Sequence, residues 1–195
     1  MGQFKGLYAL CDYQTLEKKN ISLSTFLDLL KTHKTYFIQY RDKSNPLDIQ
    51  KQNIRFLQQN CDVPIIINDH YELLEIADGL HLGQEDCLEL QHLHGFDNFK
   101  QTVQNIRKEF PKKILGLSTH NVQEIDITNG LDIDYIGLGA YRATNTKDIS
   151  QILGDEIITI AQHSKHPVGA IGGVRLEDRI QNIAYNVIGS ALYDD

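Results

Sequence analysis

The 195-residue sequence contains no tryptophan, one methionine, four prolines and three cysteines. The cysteines Cys11, Cys61 and Cys87 lie far apart and form no C-x-x-C pair, so they predict neither a disulfide framework nor a zinc finger but reduced thiols. Apolar runs such as residues 63–67 are about five residues long, whereas roughly 20 residues are needed to cross a bilayer. No signal-peptide pattern is present either. We therefore expect a cytoplasmic protein with no membrane partner.

Positive charge is also scarce, with 19 basic against 26 acidic side chains and a formal net charge of −7. Binding to nucleic acid needs clustered positive charge, so the charge balance argues against a nucleic-acid partner. Any phosphate group must then be bound by a small local site. The length fits one domain, and no linker interrupts it, so we expect a single domain over residues 1–195.

Short apolar runs alternate with amphipathic segments along the whole chain. Eight runs have the character of strands that are covered on both faces, at residues 7–11, 36–40, 63–67, 79–82, 114–117, 134–138, 168–171 and 186–188. Helical periodicity follows at residues 23–30, 49–57, 99–110 and 157–161, with Ser22 and Asp48 placed as N-caps and Pro111 as a terminator. Eight strands that alternate with helices predict a compact (β/α)₈ TIM barrel. A doubly wound open sheet is the alternative, but no G-x-G-x-x-G follows the first strand.

In such a barrel the chemistry lies at the carboxyl ends of the strands. After the second strand, Gln39, Arg41 and Lys43 alternate along an extended segment and can point to one side, which suits a diphosphate. The alternative is a solvated strand end with ion pairs. Asp69 and Asp86 follow adjacent strands, an arrangement that suits Mg²⁺, although either aspartate alone could be a helix cap.

Glycine pairs and hydroxyls follow the later strands. Gly172-Gly173 and Gly189-Ser190 lie where barrels often bind phosphate through backbone N–H groups, although turn glycines are an equal alternative. Thr144, Thr146 and Lys147 add hydroxyls and a cation in one loop. His120 could act as an acid or base, or be a structural histidine. The His92-x-His94 pair is only a weak metal candidate.

Taken together, these strings resemble the thiamine phosphate synthase family, in the expected order from about Leu7 to Ser190. They are Gln39-x-Arg41-x-Lys43, I-I-N-D at 66–69, A-D-G-L-H-L-G-Q-E-D at 77–86, G-L-S-T-H at 116–120, D-Y-I-G-L-G at 134–139 followed by Thr144-x-Thr146-Lys147, and A-I-G-G-V at 170–174. The string that ends at Asp86 is the most specific of them.

The resemblance implies an enzyme that couples an aminopyrimidine-methyl diphosphate to a thiazole ethyl phosphate, with release of pyrophosphate through a pyrimidine-methyl cation. It implies that Asp69 and Asp86 hold Mg²⁺, and that Arg41, Lys43, Ser118 and Lys147 are catalytic. The substrate-binding residues that it implies are Gln39, Tyr40, Arg41, Asp42, Lys43, Asn68, Ser118, Thr144, Asn145, Thr146, Lys147, Gly173, Gly189 and Ser190.

The sequence departs from the family pattern in several places. The stretch from Asp86 to Ser118 is longer than usual, and the segment from Gly173 to Ser190 is short. Where the family has a proline and an aromatic-proline pair, this sequence has Ala140-Tyr141-Arg142-Ala143. We also expect no helix after the eighth strand. These departures leave two alternatives open. One is a thiazole tautomerase that uses His120 as proton shuttle, and the other is a non-catalytic binder of phosphate ligands. Apolar surface left by the absent helix also predicts a homodimer.

Overall fold

The computed structural model describes residues 4–96, 98–143 and 152–193. Eight parallel strands form a closed barrel in sequential order, and the predicted TIM-barrel architecture is confirmed. The strands are β1 (Gly6–Asp12), β2 (Thr35–Arg41), β3 (Ile65–Asn68), β4 (Gly79–Leu82), β5 (Ile114–Thr119), β6 (Tyr135–Leu138), β7 (Val168–Ala170) and β8 (Tyr185–Ile188). Strand β8 pairs with β1 and so closes the sheet.

Seven helices lie between the strands in the part of the chain that the structure describes. They are α1 (Tyr13–Lys18), α2 (Leu23–Leu30), α3 (Leu47–Asn60), α4 (Gln84–His94), α5 (Phe99–Glu109), α6 (Val122–Thr128) and α7 (Glu156–Ala161). Single 3₁₀ turns occur at Tyr71–Leu73 and Ser190–Leu192.

Two of the three predicted helix boundaries are confirmed. The Ser22 hydroxyl accepts a hydrogen bond from the Thr25 amide and caps α2, and α5 ends just before Pro111. The prediction that Asp48 caps the next helix is wrong, because α3 begins directly after Pro46 and Asp48 lies inside its first turn. A carboxylate there still interacts favourably with the helix dipole, which explains why the sequence pattern is misleading.

Alternation along the strands separates two apolar layers. Side chains such as Ala9, Ile38 and Leu80 belong to the large core between the barrel and its helices. The opposite face of the sheet fills the barrel with a smaller cluster that includes Tyr8 and Tyr135, together with Phe37, Ile66, Tyr185 and Val187. Because strands alternate with a period of two, the polar residues in register with this inner cluster face the barrel interior near its mouth.

The connections between the strands differ in length. Two consecutive helices, α4 and α5, fill the long stretch between β4 and β5, whereas β3 and β4 are joined through only a 3₁₀ turn. No helix lies between β7 and β8 in the described residues 168–188. After β8, the Tyr193 hydroxyl donates to the Leu10 carbonyl oxygen at 2.7 Å, so this aromatic ring packs back onto β1. None of the described helices has the length and apolar character of a membrane span.

Candidate active site

The carboxyl ends of β1 to β5 bring polar side chains together at one mouth of the barrel. Inward-facing positions near the strand ends carry Asp12, Gln39, Arg41, Asn68, His81 and Ser118. In a barrel filled with apolar and aromatic side chains, this ring of polar groups forms a distinct upper layer. The mouth is therefore the candidate active site.

The cation at the end of β2 is fixed by its neighbour on β1. Arg41 Nη1 donates to Asp12 Oδ2 in a close ion pair, and only about a quarter of the Arg41 side chain is exposed. Asp12 is itself held, since its Oδ1 caps α1 by accepting from the Thr15 amide at 3.0 Å and from the Thr15 hydroxyl at 2.7 Å. A guanidinium anchored through one edge keeps donors for an anionic ligand.

A pair of carboxylates lies next to this cation. The Asp69 and Asp86 carboxyl groups are within hydrogen-bonding reach of each other, and burial together with this contact raises the pKa of Asp69 to about 7. The positive charges of Lys43 and Arg41 lower that pKa in turn, which places both cations within electrostatic range of the carboxylate pair. Two acidic groups and two basic groups thus share one small region of the mouth.

Local structure aims the two carboxylates. Asp69 has a positive φ of 65°, a strained left-handed conformation that aspartate tolerates better than most residues, and the Asn68 side chain donates from Nδ2 to its Oδ2. Asp86 lies in the first turn of α4, where its Oδ2 accepts from the Gly83 amide at 2.8 Å. The backbone thus holds each aspartate in place, and neither carboxylate forms a salt bridge with a cation in the described parts of the chain.

The donor set fits a hard divalent cation. Carboxylate oxygens are the ligands that Mg²⁺ prefers, and Mg²⁺ sites in enzymes commonly use only one or two of them plus phosphate oxygens of the substrate. The described residues contain no group of three or more His, Cys, Asp and Glu side chains that could hold a metal alone. Two adjacent carboxylates, of which Asp69 has a raised pKa, are thus suited to a cation that is shared with a substrate.

A chain of buried hydrogen bonds crosses the barrel below the mouth. Gln39 Nε2 donates to the Tyr8 hydroxyl at 2.8 Å, and the Tyr8 and Tyr135 hydroxyls are 2.7 Å apart. The chain continues from the Tyr135 hydroxyl to His81 Nδ1 at 3.0 Å and from His81 Nε2 to the Ser118 hydroxyl at 3.0 Å. It joins Gln39 and Ser118, two of the predicted ligands, from opposite sides of the barrel.

The sequence patterns predict no role for four residues of this region, which are Asp12, Tyr8, Tyr135 and His81. The signal that could have revealed His81 is its position in β4, where it is the one polar residue among apolar neighbours at an inward-facing position. Tyr8 and Tyr135 are harder to recognise because tyrosine is also an ordinary core residue. Burial raises the pKa of both hydroxyls, so both remain protonated and serve as hydrogen-bonding groups.

Two predicted substrate-binding side chains lie elsewhere and are corrected. Tyr40 is fully buried on the outer face of β2, where its hydroxyl accepts from Asn53 and donates to Asp42. Asp42 is 2% exposed, and it accepts from the backbone amides of Ser44 and Asn45. Burial alone would raise the pKa of Asp42, but these hydrogen bonds lower it. Period-two alternation is the physical reason, since it turns Tyr40 away from the side that Gln39 and Arg41 face.

Some of the remaining predicted ligands belong to the described residues and others do not. Gly173, Gly189 and Ser190 lie past the ends of the adjacent strands β7 and β8, on the other side of the mouth from β3 and β4. Thr144, Asn145, Thr146 and Lys147 lie outside the described residues.

The histidine candidates have local partners. His120 is 46% exposed at the end of β5, and its Nδ1 lies 3.0 Å from Glu124 Oε2. His92 Nδ1 lies 2.8 Å from the Leu88 carbonyl oxygen within α4. In the structure as described, neither imidazole belongs to the buried hydrogen-bond chain.

Comparison with known proteins gives a consistent result. Residues 7–194 match the family model described as thiamine monophosphate synthase. The thiamine-phosphate synthase of Staphylococcus saprophyticus is 34% identical in an alignment that covers 88% of this chain and 79% of that protein. The thiamine-phosphate synthase of Persephonella marina is 30% identical in an alignment that covers 97% of this chain and 88% of that protein.

Solved structures agree on the architecture. The thiamine phosphate pyrophosphorylase from Pyrococcus furiosus superposes with a TM-score of 0.71 at 21% identity, over 96% of this chain and 86% of that one. A tryptophan synthase chain from the same organism superposes with a TM-score of 0.64 at 14% identity, over 98% and 89% of the two chains. At such low identity these likenesses establish the barrel fold alone.

Proposed function

The chain belongs to the thiamine monophosphate synthase family, and from this premise we propose that its barrel mouth joins an aminopyrimidine-methyl diphosphate to a thiazole ethyl phosphate. The products are thiamine phosphate and pyrophosphate. The protein is thus a transferase of thiamine biosynthesis. One observation carries the assignment of the site: the Asp69 and Asp86 carboxyl groups are within hydrogen-bonding reach of each other at the same mouth as Arg41, and the positive charges of Lys43 and Arg41 lower the pKa of Asp69.

The reaction needs stabilised charge more than a protein nucleophile. The bond between the pyrimidine methylene carbon and the diphosphate oxygen breaks, and its electron pair leaves with pyrophosphate. The thiazole nitrogen then donates its lone pair to the methylene cation and forms the new carbon–nitrogen bond. Because negative charge grows on the departing oxygen, donors fixed in advance around that oxygen lower the barrier.

In this proposal Arg41, Lys43 and Ser118 stabilise the growing charge. The Arg41 guanidinium is anchored by Asp12 and does not need to be ordered during the reaction. The Ser118 hydroxyl is held by His81 Nε2. If this imidazole nitrogen is the protonated one, it donates to Ser118 Oγ and leaves the serine proton for the leaving group. Lys147, which lies outside the described residues, completes this set in the proposal.

Asp69 and Asp86 would hold Mg²⁺ together with oxygen atoms of the diphosphate. The bound cation would neutralise charge on the leaving group. Burial and the neighbouring Asp86 carboxylate raise the pKa of Asp69, and a bound cation would offset both effects, which supports this role. Asn68 orients Asp69 through its amide, and Gln39 is positioned by Tyr8 to meet the pyrimidine ring.

The opposite side of the mouth would bind the thiazole phosphate. Gly173, Gly189 and Ser190 offer backbone N–H groups close to the ends of β7 and β8, and the absence of a side chain on the glycines lets a phosphate approach closely. Thr144, Asn145 and Thr146 belong to this half of the proposal. Holding both substrates in one mouth supplies the orientation that a two-substrate reaction needs.

A pair of neighbouring substitutions tests the site. Asp86→Asn removes one carboxylate from the pair, whereas Glu85→Gln changes an exposed acid one position away in the same helical turn. With both substrates and Mg²⁺, we expect Asp86→Asn to lower kcat/KM for thiamine phosphate formation by about 100-fold or more and Glu85→Gln to leave it within about twofold. Equal activity in the two variants would overturn the proposed metal site.

No observation favours the tautomerase alternative, because His120 is exposed and paired with Glu124.

A cytoplasmic location is part of the proposal, and the free thiols of Cys11, Cys61 and Cys87 are consistent with it. The homodimer stays a prediction.

A further inference from the structure

We propose that Arg142 and Asp178 form a clamp that positions the phosphate-binding turn at the end of β7, and that both are positioning residues for the thiazole phosphate. This inference rests on the proposed function of that turn. Neither residue belongs to the set of predicted ligands, and they are 36 positions apart in the sequence.

The clamp is a two-pronged ion pair. Arg142 Nη1 donates to Asp178 Oδ2 at 2.6 Å, and Arg142 Nη2 donates to Asp178 Oδ1 at 3.0 Å. The Asp178 side chain is 13% exposed, and that of Arg142 is 42% exposed. The Arg142 guanidinium, together with the Arg175 amide, lowers the pKa of Asp178, so the carboxylate stays ionised throughout the neutral range. Fork-to-fork geometry of this kind fixes orientation as well as distance.

The same arginine is tied to the glycine turn at two points, and its neighbour Tyr141 adds a third hydrogen bond. Its Nη1 also donates to the Gly173 carbonyl oxygen at 3.1 Å, and its backbone amide donates to the Gly172 carbonyl oxygen at 2.9 Å. One residue earlier, the Tyr141 amide donates to the Ile171 carbonyl oxygen at 2.8 Å. The segment after β6 therefore runs alongside the turn after β7, joined to it by a short ladder.

The turn leaves no room for a side chain at Gly172 or Gly173. Gly172 and Gly173 have positive φ angles of 85° and 61°. A Cβ atom on Gly172 would lie 2.6 Å from the Ala140 Cβ, and one on Gly173 would lie 2.7 Å from the Arg142 Cβ. Glycine is required at both positions because the clamp segment packs directly against their Cα atoms.

The clamp also reaches β8, which carries the other half of the proposed phosphate site. Asp178 Oδ2 accepts from the Arg175 amide at 2.8 Å, which folds the short β7–β8 connection into a turn. Asn186, buried on β8, donates through Nδ2 to the Arg175 and Asp178 carbonyl oxygens, both at 3.0 Å. The ends of β6, β7 and β8 are thus linked through one ion pair.

Arg142 acts through this framework and not as a direct phosphate ligand. Its two Nη atoms face Asp178, the Gly173 carbonyl oxygen and, at 3.4 Å, the Tyr141 hydroxyl. Because its charge is matched by Asp178, its effect on an anion is exerted through the placement of Gly173. Loss of the clamp should therefore weaken binding of the thiazole phosphate and leave binding of the pyrimidine diphosphate unchanged.

The experiment compares KM for the two substrates in Arg142→Gln and Asp178→Asn. We expect KM for the thiazole phosphate to rise by about tenfold or more in each, with KM for the pyrimidine diphosphate within about twofold. The double variant should be no worse than the more impaired single variant, because the two residues act as a unit. Glu177→Gln, at an exposed position in the same connection, is the matched control. An equal rise in KM for both substrates, or no rise in either KM, would overturn the proposed role of the clamp.

A binding measurement separates this inference from the proposed function. Thiazole phosphate is titrated calorimetrically into the unchanged protein and into Arg142→Lys, which keeps the charge but loses the fork. A higher Kd in Arg142→Lys supports the clamp even if the protein does not couple the two substrates. Thermal unfolding confirms that the variant is folded. If the unchanged protein couples the substrates but the Kd is the same in both proteins, the clamp is wrong and the function stands. Absence of binding to the unchanged protein overturns both.

Discussion

Replacement of Asp69 by asparagine should inactivate the enzyme and at the same time stabilise the metal-free protein at alkaline pH. Asp69 and Asp86 are held in contact by the backbone, and burial and this contact raise the pKa of Asp69 from 3.8 to about 7. The folded protein therefore binds a proton at Asp69 more tightly than the unfolded chain does. The sign follows directly: wild-type stability falls as the pH rises from about 4 to about 7.

The size of the effect follows from the raised pKa. One pKa unit corresponds to about 1.4 kcal/mol, so a rise from 3.8 to about 7 sets an upper limit of about 4 kcal/mol above pH 7. The mouth is open to water, which screens part of the repulsion, and we expect about 2 kcal/mol at pH 8. Asparagine also tolerates the positive φ at this position. At pH 5.5 the gain should be roughly half as large, and near pH 4 it should vanish.

Urea unfolding in EDTA at pH 8, 5.5 and 4 measures this difference in the free energy of unfolding. Asp62→Asn, at an exposed position before β3, is the control and should show no such trend. Added Mg²⁺ should stabilise the wild type at pH 8 and leave Asp69→Asn unaffected. A variant less stable than wild type at pH 8, or a gain that grows as the pH falls, would refute the reasoning.

Two further substitutions probe the barrel and its mouth. Gly116→Ala would place a Cβ atom 2.0 Å from Tyr135 Cζ, so we expect thermal unfolding to show a loss of about 1–3 kcal/mol. An unchanged melting temperature would count against the tight interior. Ser118→Ala removes a donor held by His81 Nε2, and we expect kcat to fall by about 100-fold in single-turnover experiments while KM for the pyrimidine diphosphate stays near its wild-type value. A large rise in KM without loss of kcat would show that Ser118 only binds the ground state.

The barrel could be predicted because its signals are local. Each strand is a short apolar run, and each helix repeats apolar residues with its own period, so eight strands follow from the sequence alone. Ser22 is recognisable as a cap because its hydroxyl bonds to an amide only three residues further on. Asp48 is misleading because the sequence alone does not distinguish an acid in the first turn of a helix from an acid at its cap.

The candidate site was only partly predictable, because its geometry depends on contacts between distant segments. Alternation along β2 predicts that Gln39 and Arg41 point to the same side of the strand. The same rule turns Tyr40 to the other side, although the family pattern includes Tyr40 among the substrate-binding residues. Nothing local to Arg41 names Asp12 as its partner, 29 positions away. The contact between Arg142 and Asp178 likewise exists only once the barrel brings β6, β7 and β8 together.

The central claim is that the barrel mouth couples two phosphorylated substrates, and one measurement tests it most directly. Purified protein is incubated with aminopyrimidine-methyl diphosphate, thiazole ethyl phosphate and Mg²⁺, and thiamine phosphate and pyrophosphate are quantified together. We predict that both products appear in equal amounts, that each substrate is required, and that EDTA stops the reaction. Binding of the substrates without formation of either product would contradict the account.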